Sequence, residues 1–342
     1  MRGAIFKGPG LGLAIESLPD PVPGEGEVVL RIKRCGICSS DLAMTDGSDP
    51  SMTLRPGAQL GHEFAGEVVA VGRAVARVRV GDRITALPSW GCGACPGCNE
   101  GRPFFCTSKR RAVGGFAEYG LAAERVVLPL PAGLSLDDSA LIEPLAAALH
   151  GVRLAGDLTG LRVLIIGAGP IGLGAAFWAC RLGAARVAVL ARSPRRRGLA
   201  QTMGAHGFLI DDGAQPLEEL LQQELGRAPD VVFECAGAHG TLDRAMEAVA
   251  SRGTVIVLGC CNGIDMIRPA RALLKEVRLQ FSIAYSLDEF EAVARRIDAG
   301  HVAPSVMITG RVPLAGLPAS FEALREDRQH CKVMVEPWAT LA

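Results

Sequence analysis

The run Val163-Leu164-Ile165-Ile166-Gly167-Ala168-Gly169-Pro170-Ile171-Gly172-Leu173 constrains this chain more than any other stretch, because it reads as a strand, a tight turn and the start of a helix. Gly167, Gly169 and Gly172 occupy the G-x-G-x-x-G positions, with Pro170 and Ile171 as the spacer. Missing side chains there allow a tight turn, the close approach of a pyrophosphate, and the packing of helix on strand. A phosphate would lie at the helix N-terminus. Glycine-rich turns also arise without a ligand, so the rest of the chain has to decide. Apolar strand candidates at 163–166, 187–191, 208–210, 231–234, 255–258 and 279–283 alternate with helical stretches. Six strands with interleaved helices predict an α/β architecture with a doubly wound parallel sheet.

A chain of 342 residues has room for about two domains. Its 36 Lys plus Arg balance 36 Asp plus Glu, so no overall field favours nucleic acid or an anionic membrane, and a small-molecule partner is expected. Val163 to Cys180 runs 18 residues without a charge, which raises the question of a membrane span. Its four glycines and Pro170 favour a strand feeding a buried helix instead. Met1-Arg2-Gly3-Ala4-Ile5-Phe6-Lys7 lacks the apolar core of a secretory signal. A cytoplasmic protein is the expectation, in which eleven cysteines read as reduced thiols rather than a disulfide framework.

From Met1 to about Val127, short apolar runs broken by turn residues predict a β-rich region. Residues 137–154 place apolar side chains at helical spacing, with Asp137 and Asp138 where the helix dipole favours negative charge. That helix is expected to link two domains. The segment 287–337 holds a helical stretch at 288–299 and then short mixed runs, without tandem repeats.

Cys92, Cys95, Cys98 and Cys106 fall at spacings of 3, 3 and 8 in a loop rich in Gly and Pro. Four thiolates this close suit tetrahedral zinc, which also supplies ordering energy that a loop without a core lacks. With all four positions filled by protein, such a zinc would be structural. Free thiols in a flexible loop are the plain alternative. A nucleic-acid-binding zinc module is the competing use, suggested by Lys109-Arg110-Arg111, although three basic residues more often form a solvated face. The second constellation is Cys35-Gly36-Ile37-Cys38-Ser39-Ser40-Asp41 with Gly61-His62-Glu63. Mixed S, N and O donors with an open position suit catalytic zinc. Read singly, the cysteines could equally be a redox dithiol or buried packing, and His62 an ordinary hydrogen-bonded histidine.

Together these stretches carry a specific resemblance. Gly61-His62-Glu63-x2-Gly66-x5-Gly72-x2-Val75 resembles the zinc-containing alcohol dehydrogenase pattern of the medium-chain dehydrogenase/reductase superfamily. The quartet resembles that family's structural zinc lobe, and Val80-Gly81-Asp82-Arg83, Glu143-Pro144-Leu145-Ala146 and the glycine turn follow in family order. The resemblance implies a Rossmann nucleotide domain at 154–287 and a split, β-rich GroES-like catalytic domain at 1–153 and 288–342, with the zinc lobe at 88–110. It also implies two zinc ions per chain and assembly as a homodimer or homotetramer. Cys38 and His62 would be catalytic ligands, with Glu63 and Glu143 as acidic ligands or near-ligands. Many alcohol dehydrogenases carry cysteine at the Glu143 position, so glutamate points to the polyol and threonine dehydrogenase branches. Ser40 matches the hydroxyl that accepts the substrate proton, and Asp41 the acid that orients the histidine ligand. Cys35 matches no ligand and reads as packing.

One position departs from the pattern. Many relatives place a histidine five residues after the ligand cysteine to pass the proton outward, and this chain has Ala43 there. Water or another group then has to finish the transfer. The implied chemistry is hydride transfer between nicotinamide C4 and the carbinol carbon of a secondary alcohol, polyol or related hydroxy compound, with zinc acidifying the bound alcohol. Two alternatives stay open. A zinc-independent quinone or enone reductase of the same superfamily would leave the metal residues vestigial, and a nucleotide-binding relative would keep them without turnover.

An NAD site wants an acid about 20 residues past the glycine turn, on the ribose 2′-hydroxyl. Here the second strand ends at Ala191 and continues Arg192-Ser193-Pro194-Arg195-Arg196-Arg197. Ala191 removes the repulsion toward a 2′-phosphate, Arg192 can fork onto it, Ser193 can donate to it, and Arg196 or Arg197 could reach it from the next turn. NADP is therefore expected, with NAD possible if the arginines only form a solvated run. Lys332 falls near where relatives place a basic residue by the pyrophosphate, but reads as a surface lysine. His150, His206, His239 and His301 match no ligand position. Cys260-Cys261 reads as buried packing, and the substrate pocket is expected around 45–56, Trp90 and Phe116.

Overall fold

The computed structural model describes residues 1–111, 114–300, 303–327 and 329–340. The chain forms two compact units, Met1–Glu143 with Tyr285–Ala342, and Pro144–Ala284.

In the first unit the strand Glu27–Gly36 is the spine of a seven-stranded sheet. Glu63–Val71, Tyr119–Ala123 and Lys332–Glu336 pair with it, all antiparallel. Arg83–Ala86 and Val127–Pro129 extend the sheet on one side, and Ile308–Pro313 on the other. Val28, Leu30 and Ile32 alternate onto the core face and are each 0 % exposed, in the same apolar cluster as Phe6, Phe116 and Phe321. Each such burial is worth roughly 1.5–3 kcal/mol. A one-residue slip would turn these side chains to the other face, so the register is fixed. That register pairs Gly36 with Glu63 on one side and with Met334 on the other. The end of the spine thereby brings two distant segments beside Ile37 and Cys38. A small hairpin, Ser89–Trp90 with Arg110–Arg111, brackets the cysteine loop.

The second unit is a parallel sheet in the order Gly207–Ile210, Arg186–Ala191, Arg162–Ile166, Val231–Glu234, Thr254–Val257, Arg278–Phe281. These are the six expected strands, their ends displaced by at most two residues. Strands covered on both faces read as continuous apolar runs, which makes them visible in a sequence. The strand order reverses between Arg162–Ile166 and Val231–Glu234. The glycine turn leaves the sheet at this switch point, where open α/β sheets bind ligands. The uncharged stretch resolves into that strand and the helix Pro170–Arg181. Among the described residues, no helix is long and apolar enough to cross a membrane.

The expected linking helix over 137–154 is divided into Leu136–Ala140 and Ile142–Leu154, and the unit boundary falls near the start of the longer helix rather than at its end. Its body packs within the second unit. The Leu145 carbonyl accepts the Trp178 Nε1–H at 2.9 Å, and Ala148 lies where a Cβ on Gly174 would come within 2.8 Å.

Candidate functional site

Cys38 sits at the N-cap of the helix Ser39–Ala43, just past the end of the spine strand. Asp41 in the first turn is 1 % exposed and does two things. Its Oδ2 accepts the Cys38 backbone N–H at 3.1 Å, and its Oδ1 faces His62 Nδ1 at 3.2 Å. A proton on Nδ1 satisfies that contact and leaves Nε2 as the free donor of electrons. Ser40 Oγ lies 3.2 Å from Cys38 Sγ and 3.5 Å from His62 Nε2. Burial pulls the His62 pKa down, but the Asp41 carboxylate and Cys38 outweigh it and hold the pKa well above the usual value. Donor atoms of Cys38, His62 and Glu63 all lie within 4.8 Å of one another. Thiolate, imidazole and carboxylate in that proximity fit zinc with a position left open.

Two residues of this centre were not legible beforehand. Lys332, read as a surface side chain, is instead 3 % exposed and donates to both Glu63 oxygens at 2.6 Å and to the Ile37 carbonyl at 3.0 Å. Burial would lower its pKa, but the Glu63 carboxylate more than reverses that. The one available signal was a lysine inside the otherwise apolar run Cys331–Val335. Tyr285, 5 % exposed and stacked on Phe290, donates its hydroxyl to Glu143 at 2.8 Å. Glu143 stands outside the three-donor group, and burial pushes its carboxyl pKa up. Cys35 is fully buried within the apolar core, as expected for packing.

The four thiols of Cys92, Cys95, Cys98 and Cys106 also lie within 4.8 Å of one another. Backbone N–H groups of Ala94 and Cys95 draw Cys92 down to about 6, whereas sharing protons with its neighbours leaves Cys95 at about 11 despite the Cys98 N–H. Thiols this crowded cannot all ionise without a cation among them, and four thiolates are a complete ligand set for zinc. Two of the nearby basic residues are engaged with the protein itself. Lys109 bonds the Phe104 carbonyl at 2.9 Å, and Arg110 lies over Trp90 and pairs with Glu27 at 2.9 Å.

In the second unit the three glycines divide the work as the motif predicts. Gly167 has φ +103°, and a Cβ there would meet the Ala236 nitrogen at 2.9 Å. A Cβ on Gly172 would fall 1.9 Å from the Gly167 carbonyl oxygen. Gly169 has no such reason: a Cβ would find nothing nearer than the Arg196 guanidinium at 4.0 Å. Its missing side chain leaves room above the N-terminus of Pro170–Arg181, where Pro170 and Ile171 open the helix, and this fits a pyrophosphate. Arg196 donates to the Ala168 carbonyl at 3.1 Å, whereas Arg197 lies over the Phe208 ring. Arg196 is thus the arginine of this run that reaches the turn. Arg192 and Ser193 are exposed beyond Ala191.

Two further expectations change. Phe116 is 1 % exposed and belongs to the packed core, whereas Trp90 lines a surface cavity with Glu27, Cys92 and Arg110. The fifth strand of the parallel sheet ends at Val257, so Cys260 and Cys261 lie in a loop, with Cys260 exposed. His206 Nδ1 accepts the Val187 N–H at 3.0 Å, a structural role, and His301 lies outside the described residues.

Comparison with known proteins gives a consistent set of likenesses. Residues 24–132 match the family described as alcohol dehydrogenase GroES-like domain, and residues 170–299 the zinc-binding dehydrogenase family. L-galactonate-5-dehydrogenase of Escherichia coli K12 is 32 % identical over 88 % of this chain and 89 % of its own length. Sorbitol dehydrogenase of Ovis aries is 30 % identical over 97 % and 95 %. A Sinorhizobium meliloti 1021 crystal structure, described as a zinc-binding dehydrogenase bound to NADP, superposes with a TM-score of 0.89 at 31 % identity, covering 98 % of this chain and 99 % of that one.

Proposed function

The chain belongs to the zinc-containing alcohol and polyol dehydrogenase family of the medium-chain dehydrogenases/reductases, and from that premise we propose that it interconverts a secondary alcohol or polyol and the corresponding carbonyl compound with NADP(H). The observation that carries the proposal is the convergence of Cys38, His62 and Glu63 beside the Ser40 hydroxyl. Those three residues would hold a catalytic zinc, and Cys92, Cys95, Cys98 and Cys106 would hold a structural one. Bound there, zinc would supply the Lewis acidity that acidifies an alcohol or polarises a carbonyl, and a nicotinamide cofactor would supply the hydride chemistry.

The chain's own residues do the rest. Ser40 Oγ accepts the substrate proton. Asp41 holds His62 in the tautomer that leaves Nε2 unprotonated. Lys332 keeps Glu63 ionised in a place where a lone carboxylate would take up a proton. Tyr285 fixes the orientation of Glu143. Ala43 offers no relay side chain, so the proton leaves through water.

In the nucleotide unit, Gly167, Gly169 and Gly172 cradle the pyrophosphate. Ala191, Arg192 and Ser193 favour a 2′-phosphate, and Arg196 joins them from the glycine turn. The end strand Arg278–Phe281 has one unpaired edge. Phe281 and Ile283 there are 62 % and 56 % exposed, an apolar edge suited to pairing with a second copy in a homodimer, or in a tetramer built from it. A cysteine content of eleven accords with a reducing, cytoplasmic setting.

One preparation tests the reading. Sorbitol, L-threonine, L-galactonate and (R,R)-2,3-butanediol are assayed with NADP and NAD alongside zinc analysis. The expected result is turnover of at least one of them, a higher kcat/KM with NADP, and two zincs per chain for the two donor clusters. One zinc or none, or no turnover at any nucleotide, would overturn it.

A further inference from the structure

The helix Ser39–Ala43, which carries Ser40 and Asp41, is five residues long. Isolated helices shorter than roughly 12–15 residues are marginal in water, so this one depends on anchors. Its first turn is tied by Asp41 to the Cys38 N–H and to His62. The far end closes on itself, the Leu42 carbonyl accepting the Thr45 N–H at 3.2 Å and the Thr45 hydroxyl at 3.0 Å, and only a partner from another element can fix this turn to the rest of the unit.

Arg325, on the helix Leu317–Glu326, supplies that partner. One terminal nitrogen donates to the Leu42 carbonyl at 2.8 Å and the other to Thr45 Oγ1 at 2.9 Å. Thr45 is 1 % exposed, and its hydroxyl donates in turn to the Asp41 carbonyl at 2.8 Å. Glu322 steadies the guanidinium, accepting from Nε at 2.7 Å. A planar fork reaches a carbonyl and a hydroxyl at once, which a lysine ammonium on a flexible stem does not do as well. The cation also meets the negative end of the helix dipole.

We propose that Arg325 is a positioning residue for the candidate catalytic centre. By clamping the Leu42–Thr45 end of the short helix, it keeps Ser40 and Asp41 in place beside Cys38 and His62. The proposal rests on reading that centre as the site of hydride chemistry. It also gives the Ala43 turn a different use: where relatives place a proton-passing side chain, this chain fastens the backbone.

The test uses the zinc-loaded full chain as Arg325→Ala, Arg325→Lys and Thr45→Val, with Arg295→Gln as a surface control at a side chain 70 % exposed. Steady-state rates are measured on whichever of the four alcohols above is turned over. Arg325→Ala is expected to lose about 10²-fold in kcat, the scale of a misplacement of about 1 Å, with nucleotide KM unchanged. Millimolar guanidinium should restore part of that kcat. Arg325→Lys and Thr45→Val should fall between Arg325→Ala and wild type, and Arg295→Gln should match wild type. Amide deuterium exchange across 39–45, which needs no substrate, should quicken in Arg325→Ala while the sheet strands keep their protection. Unchanged exchange there, or wild-type kcat, sinks the clamp. Full activity of Cys38→Ser sinks the reading beneath it, and the proposal with it.

Discussion

Cys92 stands exposed in a loop whose four thiols have one another and a few backbone N–H groups of the same loop, whereas Glu63, 0 % exposed, is gripped by Lys332 at the end of a seven-stranded sheet. Around the quartet the regular structure is a four-residue helix, Pro96–Asn99, a three-residue 3-10 turn, Pro103–Phe105, and a hairpin of two-residue strands. Around Cys38 each candidate donor already has a protein partner: Ser40 for the thiol, Asp41 for the imidazole, Lys332 for the carboxylate. The contrast teaches where each geometry originates. A loop of the first kind takes its shape from the ion it binds, while a centre of the second kind is organised before any ion arrives.

Paired substitutions test this most strongly. Cys38→Ser should lower kcat by about 10³-fold or more, several kcal/mol of activation, while the unfolding midpoint stays near wild type. Cys98→Ser should invert the pattern, exposing 88–110 to protease while kcat per folded molecule falls far less. Equal stability losses from both, measured by denaturant titration and limited proteolysis, would erase the distinction.

Lys332→Met should show how far the protein alone sets the catalytic centre. It strands Glu63 as a buried, unpaired carboxylate, a change worth about 3–5 kcal/mol of destabilisation. The loss should be largest in zinc-free protein, shrink when zinc is bound, and be partly recovered by Glu63→Gln in the same chain. An unchanged denaturation midpoint without zinc would mean that the ion organises this centre too.

The smallest effect belongs to a charged site that involves no metal. Asp137 bonds Arg34 at 2.7 Å, and Arg311, which also reaches Asp137, bonds Glu336 at 2.8 Å, tying together four elements of the first unit. The Arg311 guanidinium, with Arg34, holds the Asp137 carboxyl below the usual carboxylate range. A depressed carboxylate stabilises the fold above its unfolded pKa of about 4, and that contribution is lost as pH falls through the native value. Partial exposure limits it to about 1 kcal/mol or less. Asp137→Asn should therefore lower the unfolding midpoint slightly at pH 7 and by less as the pH falls below about 4; an equal loss at both would remove the electrostatic explanation.

Local spacing made much of this molecule readable. The six parallel strands, the roles of the glycine turn and the grouping of the four cysteines all follow from residues close in sequence. Partners brought together only by folding left no such trace. Lys332 meets Glu63 across 269 residues, and Arg325 meets Thr45 across 280. Arg325 has no local signature, Lys332 only its place inside the apolar run Cys331–Val335, and each residue alone reads as an ordinary surface cation. Phe116 misled in the opposite sense, because an aromatic in a loop-rich stretch gives no sign of whether it lines a cleft or fills an interior.

The hydrogen bond between Glu143 and Tyr285 has a further consequence. Glu143 is the last residue of the first unit before the chain departs into the second, and Tyr285 is the first after it returns. A separation of 2.8 Å between their side chains means that the exit and re-entry points are neighbours. The parallel sheet is in that sense an insert with adjoining ends, the arrangement in which a domain is most easily excised or exchanged. A short linker from 143 to 285 is the natural splice for grafting a different nucleotide unit onto this centre.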